Sequence, residues 1–180
     1  KACGILADWS KRKDGFEKLS LSINISPKDF YFIDIFEVIT SLVKKYGVKP
    51  NLLHLEITES AVMNNATEHI KTINRLRDYG FTVEMDDFGS GYSSLNMLKD
   101  MPVDVLKLDM KFLSEENNDK SEKIIKNIIN LANELNIIPL TEGVETEAQF
   151  TQLASMGCVL FQGFHFAKPM PVKDFEEYLV

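Results

Sequence analysis

The chain has only two cysteines, Cys3 and Cys158, among its 180 residues. They lack the close spacing of a metal knuckle and are too few for a disulfide framework, so both read as reduced thiols of a cytoplasmic domain. No apolar run reaches the length that spans a bilayer, and no signal-peptide pattern opens the chain. Long basic runs are missing as well. With a net charge of −7, the chain is not built to coat a nucleic-acid polymer through its phosphates. A small nucleotide held through bound cations remains compatible with that acidity. No Gly-x-Gly-x-x-Gly follows the first strand, which disfavours a dinucleotide-binding sheet. Linkers and low-complexity tracts are also absent. The one loose stretch, Ser114–Lys120, is polar and reads as a surface loop. An initiator methionine is lacking and the chain opens inside a helical segment, Lys1 to Trp9, so it is expected to be part of a longer protein.

What is present is a repeating unit of amphipathic helix, stop signal and short strand. Ile35, Ile39, Leu42, Val43 and Tyr46 form one apolar stripe before Gly47, and Ile70, Ile73, Leu76 and Tyr79 form another before Gly80. A third runs from Ile124, Ile125, Ile128 and Ile129 to Leu135, ending near Asn136. The fourth starts at Thr146 with Gln149 as capping-box partner, buries Phe150 and Leu153, and stops at Gly157. Around them the spacing predicts strands at Leu21–Ser26, Leu53–Thr58, Phe81–Asp86, Val105–Asp109, Ile137–Glu142 and Val159–Gly163. Such alternation over the whole length implies a single α/β domain with a parallel sheet.

Face parity separates an open sheet from a barrel. Leu53, Leu55 and Ile57 share one face of their strand, while His54, Glu56 and Thr58 share the other; the strands at Leu21 and Phe81 split the same way. Strands covered on both faces should be nearly all apolar. A TIM-type (β/α) barrel explains the alternation, with apolar residues meeting outer helices and polar ones pointing to an axis that carries a site at its upper end. Six βα units are visible where a closed barrel needs eight, so the expectation is a truncated barrel whose first units lie outside this chain.

Each strand ends in a group suited to metal, water or phosphate: Asn24, Glu56, Asp86 with Asp87, Lys107, Glu142 and Gln162. The adjacent aspartates are the strongest signal. Neighbouring like charges at the end of an apolar strand are costly without compensation, and divalent cations supply it. Hard oxygen donors suit Mg2+ or Mn2+, with Ca2+ an inhibitory substitute. Paired carboxylates can bridge two ions in phosphodiester cleavage. Lys107 projects inward between Leu106 and Leu108, placed to orient an attacking water or offset phosphate charge. Each residue also has a plainer reading. Asn24 alone would be a core amide, and Glu56 an ion-pair partner for Lys107. Gln162 would cap a loop, Glu59 and Glu145 would hold loops, and His54, deeper on the inward face, would be structural. Six aligned strand ends together outweigh these.

The segments Leu21-Ser22-Ile23-Asn24-Ile25-Ser26, Leu55-Glu56-Ile57-Thr58-Glu59 and Asp86-Asp87-Phe88-Gly89-Ser90-Gly91-Tyr92-Ser93-Ser94-Leu95 follow one another in a familiar order. So do Leu106-Lys107-Leu108-Asp109, Glu142-Gly143-Val144-Glu145-Thr146, Gln162-Gly163-Phe164 and Lys168-Pro169-Met170-Pro171. As a set they resemble the EAL-type cyclic di-GMP phosphodiesterases of bacteria. The resemblance implies that Asn24, Glu56 and Asp86 hold a first metal and that Asp86, Asp87 and Glu142 hold a second. It implies further that Lys107 contacts the catalytic water, that Gln162 lines the substrate pocket, and that Glu59 steadies the loop from Phe88 to Ser94, which in this family helps order the metals and the dimer. The implied reaction is hydrolysis of cyclic di-GMP to linear pGpG, in a homodimer fused to an upstream sensory or cyclase domain, with the parent protein either soluble or membrane-anchored.

The chain departs from the pattern in several places. The Glu-Ala-Leu segment, whose glutamate is a further ligand of the first metal, is absent, as is the substrate-contacting arginine after it; both belong to the missing strands. The isolated chain is therefore expected to be weakly active or inactive. Ser90 replaces a common threonine. Glu84 stands where a small residue is usual, and would either pair with Lys107 or reach solvent. Pro139 falls inside an expected strand, where it removes a ladder donor. Two rival readings are a cyclic di-GMP-binding receptor or scaffold without catalysis, and a Schiff-base aldolase using Lys107. The second is disfavoured, because such a lysine needs a desolvating pocket rather than surrounding acids.

Overall fold

The computed structural model describes residues 1–63, 66–88, 95–109 and 119–179. Its strands are β1 (Leu21–Ile25), β2 (Leu53–Thr58), β3 (Thr82–Phe88), β4 (Val105–Asp109), β5 (Ile138–Glu142) and β6 (Leu160–Gln162). They form one parallel sheet in chain order, curled as six units of a TIM-type barrel. Among the described residues, β1 and β6 are its edges. The helices are α1 (Ala2–Trp9), α2 (Asp29–Phe32), α3 (Ile35–Tyr46), α4 (Glu59–Met63), α5 (Ala66–Tyr79), α6 (Leu95–Asp100), α7 (Asp119–Glu134), α8 (Glu147–Ser155) and α9 (Val172–Tyr178). The short α2, α4, α6 and α9 carry too little periodicity to be read from sequence.

The helix boundaries follow local chemistry. Asp34 caps α3 by accepting from the Glu37 N–H, and Gly47 ends the helix in left-handed geometry. Asn136 does the same after α7, since asparagine tolerates that region better than most side chains. Thr146 and Gln149 form the expected capping box at α8. The apolar stripes are only partly buried: Ile35, Ile39 and Val43 enter the core, whereas Leu42, Tyr46, Ile124 and Leu135 stay exposed.

The predicted faces hold in the first three strands. Leu53, Leu55, Ile57, Val83 and Met85 are buried in the core shared with the helices, while His54, Glu56 and Asp86 lie on the opposite face. β4 is buried on both faces, because Lys107 is as enclosed as Leu106 and Leu108 beside it. Pro139 does sit in β5, opposite Leu106 of β4. The Ile138 N–H donates toward β4, to the Asp104 carbonyl, so the next nitrogen along the strand turns to the β6 side. Pairing with β6 starts only at Leu140, so the proline removes no ladder bond.

At the other end of the strands, Asp104 accepts from the Arg77 guanidinium and from the Val83 N–H, tying α5, β3 and β4 together. Residues distant in sequence meet at Trp9, which packs against Phe16 and Phe175 and donates its indole N–H to Glu176 at 2.6 Å.

Candidate functional site

The concave face converges on Lys107. Its Nζ lies 2.9 Å from Glu56, 3.0 Å from Asp86 and 2.8 Å from Glu142, so β2, β3 and β5 each deliver one carboxylate to the ammonium carried by β4. The plainer expectation for Glu56, an ion pair with Lys107, is thereby realised together with the clustering of strand ends. Burial alone would lower the Lys107 pKa, but hydrogen bonds to Glu142, Glu56 and Asp86 outweigh it and hold the ammonium well above the ordinary lysine value. Glu142 moves the other way from a simple ion pair. Burial pushes its carboxyl up, Lys107 pulls it down, and repulsion from Asp86 and Glu56 leaves it raised. One ammonium shared among three carboxylates cannot offset them all.

The Asp86-Asp87 pair is shaped by a feature that sequence reading missed. Met85 pairs with Leu106 and Phe88 with Leu108, so both aspartates stand opposite Lys107 in a β-bulge. Asp87 takes the extra position with φ of 56°, in the left-handed region. Its N–H donates to Asp86 Oδ1 at 3.1 Å. The bulge returns Phe88 to the buried core face while keeping Asp86 on the polar one. Its signal was legible: Met85 and Phe88 are both apolar but three apart, an interval that strict two-residue alternation cannot place on one face.

Asn24 stands beside Glu56 in register, exposed, with no side-chain hydrogen bond among the described residues. Gln162 pairs in register with Glu142 and is exposed. The Gly163 that follows it packs directly on the Val144 backbone, where a Cβ would collide. Glu59 opens α4 immediately after β2; the loop that it was expected to steady lies, beyond Phe88, outside the described residues. The Glu145 side chain is exposed, and its backbone N–H donates to Gln149. Ser90 and most of the 114–120 loop also lie outside the described residues.

Glu84 corrects both alternatives offered for it. It neither reaches solvent nor pairs directly with Lys107. It is buried, and its carboxylate accepts from Ser22 Oγ at 3.1 Å and from His54 Nδ1 at 2.6 Å. Burial alone would raise its pKa, but His54 and Ser22, with the nearby positive charge of Lys107, bring it below the ordinary value.

The donor set fits a hard divalent cation in kind: carboxylates on adjacent strands with a neutral amide beside them. The Lys107 ammonium acts as a stand-in cation, showing that these carboxylates are oriented to close on a positive charge. Among the described residues no three acids, imidazoles or thiols are spaced for an ion, and Glu56, Asp86 and Glu142 lie on the Lys107 ammonium.

A family model for the EAL domain matches residues 1–169. The chain belongs to that family. It is 34% identical over 166 residues to the cyclic di-GMP phosphodiesterase NbdA of Pseudomonas aeruginosa, covering 92% of this chain and 21% of NbdA. Among solved structures, the MucR phosphodiesterase in complex with c-di-GMP superposes with a TM-score of 0.88 at 32% identity, over 97% of this chain and 70% of the other. A manganese and cyclic di-GMP complex of Klebsiella pneumoniae BlrP1 gives a TM-score of 0.81 at 28% identity, over 93% of this chain and 42% of BlrP1. The chain spans about a fifth of the length of the curated relatives that it matches first. Among the described residues, no helix is long and apolar enough to cross a membrane.

Proposed function

We propose that this EAL domain belongs to a longer protein that hydrolyses one phosphodiester bond of cyclic di-GMP to give linear pGpG. The observation that carries the reading is the convergence of Glu56, Asp86 and Glu142 on a single buried cation at the strand ends. Asn24, Glu56 and Asp86 would hold one metal ion, and Asp86, Asp87 and Glu142 a second, each Mg2+ or Mn2+. Bound there, such ions would neutralise phosphate charge and make a water more acidic. Lys107 donates hydrogen bonds toward the attacking water or a phosphate oxygen, in a setting where three acids keep it charged despite its burial. Gln162, at the end of the strand beside Glu142, would touch substrate. Glu59 and Glu145 sit at the starts of the segments following β2 and β5, where they would hold loops rather than react.

The domain is read as one unit over 1–180, completed by strands that precede Lys1 and carry the Glu-Ala-Leu glutamate and the arginine after it. The greater length of its relatives leaves room for an upstream sensory or cyclase module. A cytoplasmic location and a homodimer complete the reading. The test is to incubate the full-length protein with cyclic di-GMP and Mn2+ or Mg2+ and to follow pGpG by chromatography. Cleavage that stops on chelation and is lost in Asp86→Asn supports the reading. Tight binding without cleavage makes the domain a receptor instead.

A further inference from the structure

We propose that Glu84 is a positioning residue that holds the Asn24 and Glu56 side of the metal site in place through Ser22 and His54. The inference rests on the functional reading above. Asn24, Glu56 and Glu84 stand in one register row across β1, β2 and β3. From that row, the Glu84 carboxylate reaches Ser22 on β1 at 3.1 Å and His54 on β2 at 2.6 Å. Ser22 and His54 are each two residues before the donor that their strand contributes, so they share its face and lie one step below it. A single carboxylate thus laces the two strands carrying Asn24 and Glu56 to the strand carrying Asp86. Groups behind a metal ligand set its orientation, and their loss commonly weakens metal affinity.

The experiment measures Mn2+ binding to the full-length protein from the disappearance of the free-ion electron paramagnetic resonance signal. Glu84→Ala is expected to bind at least about tenfold more weakly than the unsubstituted protein. Glu84→Gln, whose amide can still bond both partners, should stay within about threefold. Equal affinity in Glu84→Ala overturns the inference. So does Glu84→Gln as weak as Glu84→Ala, because the effect would then be charge rather than placement. If Glu84→Ala does not fold by circular dichroism, Ser22→Ala combined with His54→Ala carries the same tenfold expectation and the same disproof. An unsubstituted protein that takes up no Mn2+ overturns the reading of the site itself and the inference with it; ordinary uptake with unaltered Glu84→Ala overturns the inference alone.

Discussion

Lys107 Nζ lies 2.8 Å from Glu142 Oε1, the shortest of its three carboxylate contacts, and joins β4 to the last residue of β5. Breaking a buried pair leaves an uncompensated charge, which is more costly than the pair was stabilising. Lys107→Met should therefore lower stability by about 3 kcal/mol in metal-free buffer. Added Mn2+ should recover part of that loss, because a divalent ion replaces the missing positive charge. Urea unfolding with and without Mn2+ measures both effects, and a loss unaffected by Mn2+ would count against a metal site at these carboxylates.

Asp87 has a backbone role in the bulge and, in the proposed metal site, a second role through its charge. Its φ of 56° is tolerated by aspartate and asparagine and is strained for alanine. On the proposed reading, Asp87→Asn in the full-length protein should keep the bulge and near-native stability while lowering cyclic di-GMP hydrolysis at least about tenfold. Asp87→Ala should show the same activity loss plus destabilisation of about 1 kcal/mol. Thermal melts beside initial rates separate the two.

Gly163 has no room for a side chain, since a Cβ would collide with the Val144 backbone nitrogen and carbonyl. Those atoms are fixed by hydrogen bonds between the Val144 N–H and the Gln162 carbonyl, and between the His165 N–H and the Val144 carbonyl. Gly163→Ala should destabilise the domain by about 2 kcal/mol or more, since well-ordered backbone must shift. A melting temperature equal to that of the unsubstituted protein would contradict the packing described.

Burial raises the thiol pKa of both Cys3 and Cys158. A raised thiol pKa means less thiolate at a given pH, and the protonated form is the one that the fold favours. The stability linked to each thiol is present at neutral pH and falls as pH rises through its elevated pKa. Neither cysteine should react with a disulfide-exchange dye at pH 8 until denaturant is added. Fast labelling of the folded protein would disprove this burial.

Much of the architecture was written locally. Alternation such as Leu53, Leu55 and Ile57 against His54, Glu56 and Thr58 needs only neighbouring residues to declare a face, and the Thr146–Gln149 capping box is complete within four positions. Strand edges were less legible. β3 runs to Phe88 rather than stopping at Asp86, because the bulge lets pairing resume after the aspartates. The family's acids were recognisable as a set, whereas the partner of each depended on how far one strand is staggered against the next.

Periodicity and end groups, which are properties of short segments, determined from sequence alone that this chain would build parallel strands with an acidic rim. Only the tertiary structure decided that Lys107 would stand among Glu56, Asp86 and Glu142, and that Glu84 would turn to His54 and Ser22. The physical reason is that carboxylates from three strands compete for one cation on a fourth, and the outcome depends on ångström-scale register and curvature that no single segment specifies.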